Sequence, residues 1–254
     1  MKLNRQKFLA FFLFLSFVYF IVYLPEFHGI STTFSAARWP EQTLIIDPGH
    51  GGEDGGAIAL SGCKESEINL EISLKLDQLC GLFGVHTLLL RTLDISLADN
   101  HAQTLREKKR SDLLTRVELI NQTPNAVLLS IHQNHYQEQQ YRGAQVFYRN
   151  DAESASWGEY TQNQLIEQLD PENTRMSKQI AKEIYLMNHI NCRALLVECG
   201  FLSNPEDNKR LESKYYQHQL AAVLLTSYIT YLPTDNGESS YEGKTALLLY
   251  NMWE

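Results

Sequence analysis

Two histidines and two glutamates carry the most specific chemistry in this sequence: His50 in "IIDPGHGG", Glu65 in "CKESEINL", His132 in "SIHQNH" and Glu198 in "VECGF". Imidazole nitrogens and carboxylate oxygens are the usual donors of a catalytic zinc site, which takes three protein ligands and leaves a fourth position to water. A further carboxylate, free of the metal, can then serve as general acid and base. The four residues lie far apart in sequence, so no local spacing fixes such a set and other readings of His50 stand beside it. Five glycines surround it between Gly49 and Gly56. They suit a plain tight turn, and a Gly-rich turn after a strand can also cradle phosphate. Against phosphate, no GK[ST] follows, no G-x-G-x-x-G opens a helix, and Asp47, Glu53 and Asp54 would repel an anion. Glu65 taken alone is explained as an acid favoured by a helix dipole.

These residues need a frame that gathers them. Apolar runs read as strands over 43–47, 86–91, 126–132, 144–149 and 194–199, and helical patterns lie at 67–83, 110–121, 173–190 and 213–231. Continuous apolar runs suit strands buried on both faces of a helix-covered sheet. The alternation predicts a single α/β domain with a central mixed, largely parallel sheet flanked by helices. His50, His132 and Glu198 then stand at the carboxyl ends of strands, where open α/β sheets gather their sites. Glu65 stands at the mouth of the 67–83 helix. Residues 68–76 alternate apolar and polar like a strand. Ile68, Ile72, Leu76, Leu79, Cys80 and Phe83 nevertheless form a helical stripe, and length decides for helix. Leu70 and Leu74 fall off that stripe and need a second contact. The polar stretch 92–112 reads as a surface excursion. Its "REKKR" run is a solvated face, or alternatively a guide for an acidic substrate.

With 254 residues, 44% of them hydrophobic, the chain has enough apolar material for one ordinary core. A net charge of −8 argues against a nucleic-acid binder, which would usually show a basic stripe. At the N-terminus, Lys2, Arg5 and Lys7 precede a charge-free apolar run from Phe8 to Leu24. That is a membrane-insertion signal with its basic flank on the cytoplasmic side. An uncleaved signal-anchor is favoured over a cleaved signal peptide, because the nearest small-residue site, Ser35 to Ala37, lies far beyond the run. Either outcome sends the domain to the outer face of the membrane, or beyond it if the segment is cleaved. The expected organisation is thus 1–24 flank and membrane segment, 25–42 linker, 43–232 catalytic domain and 233–254 tail. Cys63, Cys80, Cys192 and Cys199 show no CxxC pairing and read as free thiols, with one disulfide as the alternative.

"IIDPGHGGEDGGA", a Glu before an "INL" helix, "SIHQN" and "VECGFLSNPED" follow one another in that order. This ordered set resembles the zinc-dependent N-acetylmuramoyl-L-alanine amidases of the amidase-3 family over about 43 to 232. "SDLLTRVELIN", "GAQVFY" and the N-terminal segment look most like the germination-specific, spore-cortex branch. The resemblance implies one Zn²⁺ per chain held by His50, Glu65 and His132, with Glu198 as catalytic acid and base. The bond cut would join the muramic-acid lactyl group to L-alanine of the peptidoglycan stem peptide, and the product would feed muramic-δ-lactam formation. It also implies a glycan strand with stem peptides as substrate and leaves room for an accessory protein. Asn134 and Arg142 are candidates to line the cleft, against ordinary loop duty. His135, three positions after His132, would point to the opposite face of a strand and reads as a rim residue. Gln145 replaces an acid found in some relatives and is given no acid role. Asp47 and Pro48 are expected to stiffen the turn before His50. Two rival functions stay open: a catalytically silent wall-binding module, and a zinc carboxypeptidase acting within the stem peptide.

Overall fold

The structure, a computed structural model, describes residues 42–231. The N-terminal basic and apolar segment, nearly all of the expected linker and the C-terminal tail lie outside the described residues. Within them, no helix is long and apolar enough to cross a membrane. The elements run β1 (Thr43–Pro48), α1 (Glu65–Leu82), β2 (Thr87–Leu89), α2 (Leu105–Gln122), β3 (Ala126–Asn134) and β4 (Gln145–Tyr148). They continue with α3 (Ala152–Leu169), β5 (Lys178–Gln179), α4 (Tyr185–His189), β6 (Arg193–Phe201), α5 (Pro205–Leu211) and α6 (Lys214–Tyr231).

The strands form one mixed sheet in the order β2-β1-β3-β6-β4-β5. β2, β1, β3 and β6 are parallel, whereas β4 runs antiparallel to β6 and carries β5 parallel to itself. Strand residues alternate between two apolar clusters, as a period of two requires. Leu44, Ile46, Leu129, Leu195 and Val197 pack with α1, α3 and α6, while Ile45, Leu128, Ala194 and Leu196 pack with α2 and α4. Both faces are covered, which accounts for the unbroken apolar runs. The expected α/β domain with a largely parallel sheet is what the chain adopts.

The contested segment is helical. Ile68, Ile72, Leu76 and Cys80 form the buried stripe of α1, and Leu70 and Leu74 are half-buried beside it. α2 starts earlier than expected, at Leu105, because Thr104 accepts from the Glu107 amide while Glu107 Oε2 accepts from the Thr104 amide at 3.0 Å. That reciprocal cap turns part of the "surface excursion" into helix.

The expected helix over 173–190 does not form. Asn173 donates to Ala144 O (2.8 Å), Arg175 to Arg142 O (2.8 Å) and the Ile180 amide to Tyr148 O (2.9 Å). These bonds draw the segment out along β4, leaving only β5 and the short α4. A helix that the apolar pattern missed, α3, lies over 152–169. Its buried face is Ser154, Trp157, Gly158, Thr161, Gln162 and Leu165, a helical spacing filled mostly by small and polar residues. All four cysteines are free, with Cys80 and Cys199 buried and Cys63 and Cys192 half-buried.

Candidate active site

β1 ends at Pro48, and the chain leaves it through a turn that few residues tolerate. His50 has φ 61°, followed by Gly51 at 144° and Gly52 at 60°. A non-glycine residue in the left-handed region is uncommon and costs free energy, so the surroundings must hold it there. Two guanidiniums do so. Arg91 donates to the carbonyls of Pro48 (3.0 Å), Gly49 (3.0 Å) and Ser66 (2.8 Å). Arg116 donates to Pro48 O (3.1 Å) and His50 O (2.7 Å), and forms buried ion pairs with Asp47 and Asp112. Asp47 also accepts from Ser130 Oγ at 2.7 Å. The stiffening attributed to Asp47 thus runs through a buried Arg116 on a distant helix, not through the local turn. Gly49 has its own reason: a Cβ there would land inside the His132 imidazole.

The turn aims His50 at two residues from other elements. His50 Nε2 lies 3.3 Å from Glu65 Oε1, and His132 Nδ1 lies 3.2 Å from the same oxygen. The two rings meet edge-on with centroids 5.0 Å apart. Donor atoms of His50, Glu65 and His132 all fall within 4.8 Å of one another. Ligands at about 2.0–2.1 Å from a tetrahedral zinc stand about 3.3 Å apart, so this donor set fits the ion that the sequence implied. Asp54 Oδ2 sits 3.1 Å from His50 Nδ1, the outer carboxylate that commonly orients a ligating imidazole.

Glu65 is fixed on both oxygens. Oε2 accepts from the Ala57 amide (2.9 Å), and Oε1 accepts from the Gln133 amide (3.1 Å) and from Asn69 Nδ2 (3.4 Å). Burial by itself would raise its carboxyl, but His132 and His50 override that and hold it well below the usual carboxylate range. Burial likewise works to lower His50, yet Asp54 and Glu65 raise it to about 9. The carboxylates therefore keep a proton on His50 that an incoming cation would displace.

Glu198 stands beside this group without joining it. It is the cross-strand partner of His132 in β6. Its Oε2 is enclosed and has no hydrogen-bond partner. Burial raises its carboxyl to about 7, with His132 opposing and Glu65 adding to the shift. A carboxyl poised near neutrality and lying beside a donor set has the properties of a general acid and base.

The family model for N-acetylmuramoyl-L-alanine amidases matches residues 44–227. The chain belongs to the N-acetylmuramoyl-L-alanine amidase family. It is an enzyme of that type, acting on peptidoglycan. The germination-specific N-acetylmuramoyl-L-alanine amidase of Bacillus subtilis is 33% identical over 196 residues, covering 77% of this chain and 81% of its own. The CwlD amidase of Clostridioides difficile, solved in complex with the GerS lipoprotein, superposes with a TM-score of 0.72 at 36% identity. That alignment covers 75% of this chain and 98% of the other. An N-acetylmuramoyl-L-alanine amidase of Clostridium difficile 630 gives a TM-score of 0.65 at 27% identity, covering 76% and 98%.

The other expected site residues of this amidase are placed differently. Asn134 lines the cleft next to the donor set, its Oδ1 accepting from the His135 amide at 2.8 Å. Arg142 stands apart from the four central residues. Its guanidinium grips Asp170 with two hydrogen bonds of 2.9 and 3.0 Å and reaches Glu172 at 3.3 Å. His135 is exposed. Lys108 and Lys109 of the "REKKR" run pair with Glu53 and Asp54 of the His50 loop, at 2.5 and 2.8 Å. Two of the run's four cations are thus spent on the loop's own acids. Arg91, Arg116 and Asn69 escaped the sequence reading. The one available signal was a basic residue inside a buried helix face at Arg116.

Proposed function

We propose that this amidase uses zinc to hydrolyse the amide between the muramic-acid lactyl group and L-alanine of the stem peptide, with His50, Glu65 and His132 as ligands and Glu198 as acid and base. The observation that carries the reading is the three-donor set with an unpartnered carboxylate beside it. When bound, zinc would polarise the amide carbonyl and bring a water's pKa down toward about 7. Glu65, anchored through three donors, and His50, oriented by Asp54, keep the donors in place. Glu198 takes a proton as the water oxygen bonds to the lactyl carbonyl carbon. It delivers that proton to the nitrogen of L-alanine as the C–N bond breaks, leaving a lactyl carboxylic acid and a free amine.

Glu198→Ala should retain about one zinc per chain while losing hydrolysis by at least about 100-fold. Both are measurable by metal analysis and by mass spectrometry of digested peptidoglycan. Stem peptides beginning at L-alanine are the expected product; peptides trimmed from the other end would instead indicate a carboxypeptidase. An unchanged rate in that variant would falsify the role given to Glu198.

We further infer action on spore cortex, outside the cytoplasmic membrane and tethered by residues 8–24. The germination-specific relative and the apolar N-terminal run support this reading. The GerS lipoprotein bound to the Clostridioides difficile relative suggests an accessory lipoprotein here as well. Deleting the gene should remove muramic-δ-lactam from cortex digests. Unaltered lactam content would confine the enzyme to other wall.

A further inference from the structure

His132, Glu198 and Gln145 form a row across three neighbouring strands, since Glu198 pairs with His132 on one side and Gln145 on the other. Beyond the row opens a cleft of about 290 Å³. Asn134, Tyr136, Tyr141, Gln145 and Phe201 line it together with Arg175 and Lys178. Among the described residues, no carboxylate lines it.

The two cations are unusual in a chain of net charge −8. Arg175 gives Nε to Arg142 O (2.8 Å) and Nη1 to Gln145 Oε1 (2.9 Å), both neutral acceptors. Its guanidinium lies 4.4 Å from the Phe201 ring centroid. Neither Arg175 nor Lys178 makes an ion pair among the described residues, and Arg175 Nη2 has no protein acceptor there. Arg142, whose carbonyl accepts from Arg175, by contrast ion-pairs with Asp170, Glu172 and Glu206. Arg175 is therefore held by neutral acceptors, and the buried Asp207 carboxylate acts on its charge only through space, without an ion pair.

Resting on the zinc-amidase reading, we propose that this cleft is a subsite for an anionic stem peptide: Arg175 and Lys178 bind a free carboxylate on its second or third residue, while the tyrosines flank the peptide chain. Gln145 is two strand spacings from His132, or about 10 Å. Three extended residues span about the same length, so a peptide with its first amide at the donor set brings that carboxylate to the cations. An arginine fixed by neutral partners matches a carboxylate in a way that an already paired arginine does not.

The test uses two synthetic muramoyl peptides, identical except that the acidic residues carry free carboxylates in one and carboxamides in the other. The zinc-loaded enzyme should cleave the first with kcat/KM at least about tenfold higher. Arg175→Gln should remove most of that preference, lowering kcat/KM on the carboxylate substrate and sparing the carboxamide. Lys178→Gln alters an exposed side chain with no hydrogen bond or ion pair among the described residues, so it should cut the preference several-fold with folding intact. Equal cleavage of both substrates by the unmodified enzyme, or an equal loss on both in the two variants, would overturn the subsite. Cleavage of neither substrate would overturn the catalytic reading beneath it.

Discussion

On the β1 side of the sheet, Arg91 and Arg116 are 3% and 2% exposed and direct their donors at backbone carbonyls and buried acids. On the β4 side, Arg175 is half-buried and Lys178 exposed, and neither forms an ion pair among the described residues. The same kind of side chain is consumed in one region and left available in the other. The consumed pair fixes a strained turn so that His50 points at Glu65. The available pair lines a cleft beside the donor set. A cation's partners, more than its presence near a site, decide whether it shapes the protein or meets the substrate.

Arg116→Met should break the first half of that contrast with the largest effect on stability. It would strand Asp47 as an unpaired buried carboxylate, a change that commonly costs about 3–5 kcal/mol, measurable by denaturant titration. Its pH dependence gives a second readout. In the parent chain, burial pushes Asp47 up, but Arg116 and Ser130 outweigh it and hold the carboxyl below its ordinary value. That stability is present above an ordinary carboxylate pKa of about 4 and is lost as pH falls through the depressed value. Without Arg116 burial would dominate, so the variant should lose stability as pH rises past about 4, the opposite slope. A variant retaining the parental slope would mean that Asp47 has another partner.

Gly49→Ala probes the same region through space instead of charge. The added methyl would force the His132 ring aside. Zinc affinity should fall by something like 10–100-fold, the range seen when a ligand's support is altered, with the fold largely kept. Competition with a chelator would show it, and unchanged affinity would mean that His132 is not a ligand. Smallest of all, Lys178→Gln should shift unfolding free energy by no more than about 0.5 kcal/mol. A large shift there would erase the distinction between the two sides.

The four central residues were legible because each lies at the end of a strong apolar run or at a helix mouth. The run fixes the strand, and the strand's end fixes the residue's place. Asp54 was visible only as an acid that repels phosphate, since its hydrogen bond to His50 depends on how the glycine turn folds. α3 was hidden because its packing face is made of Ser154, Gly158, Thr161 and Gln162, which carry almost no apolar signal at helical spacing. The 173–190 segment misled in the other direction. Its composition favours helix, yet Asn173 and Arg175 find partners on the 142–145 segment that a helix could not offer. Tertiary hydrogen bonding overrode local preference there, and the same override created the cleft.

The antiparallel course of β4 has a consequence for how such an enzyme can diversify. A parallel β4 would require a crossover carrying the chain to the far end of the sheet and back. Because β4 runs the other way, the 135–144 connection stays at the end where His132 and Glu198 sit. Tyr136 and Tyr141 are therefore mounted on a replaceable panel, bolted to the frame on both sides but outside its interior. Lengthening or exchanging that panel would alter which peptides are admitted while the His50, Glu65 and His132 donor set behind it keeps its shape.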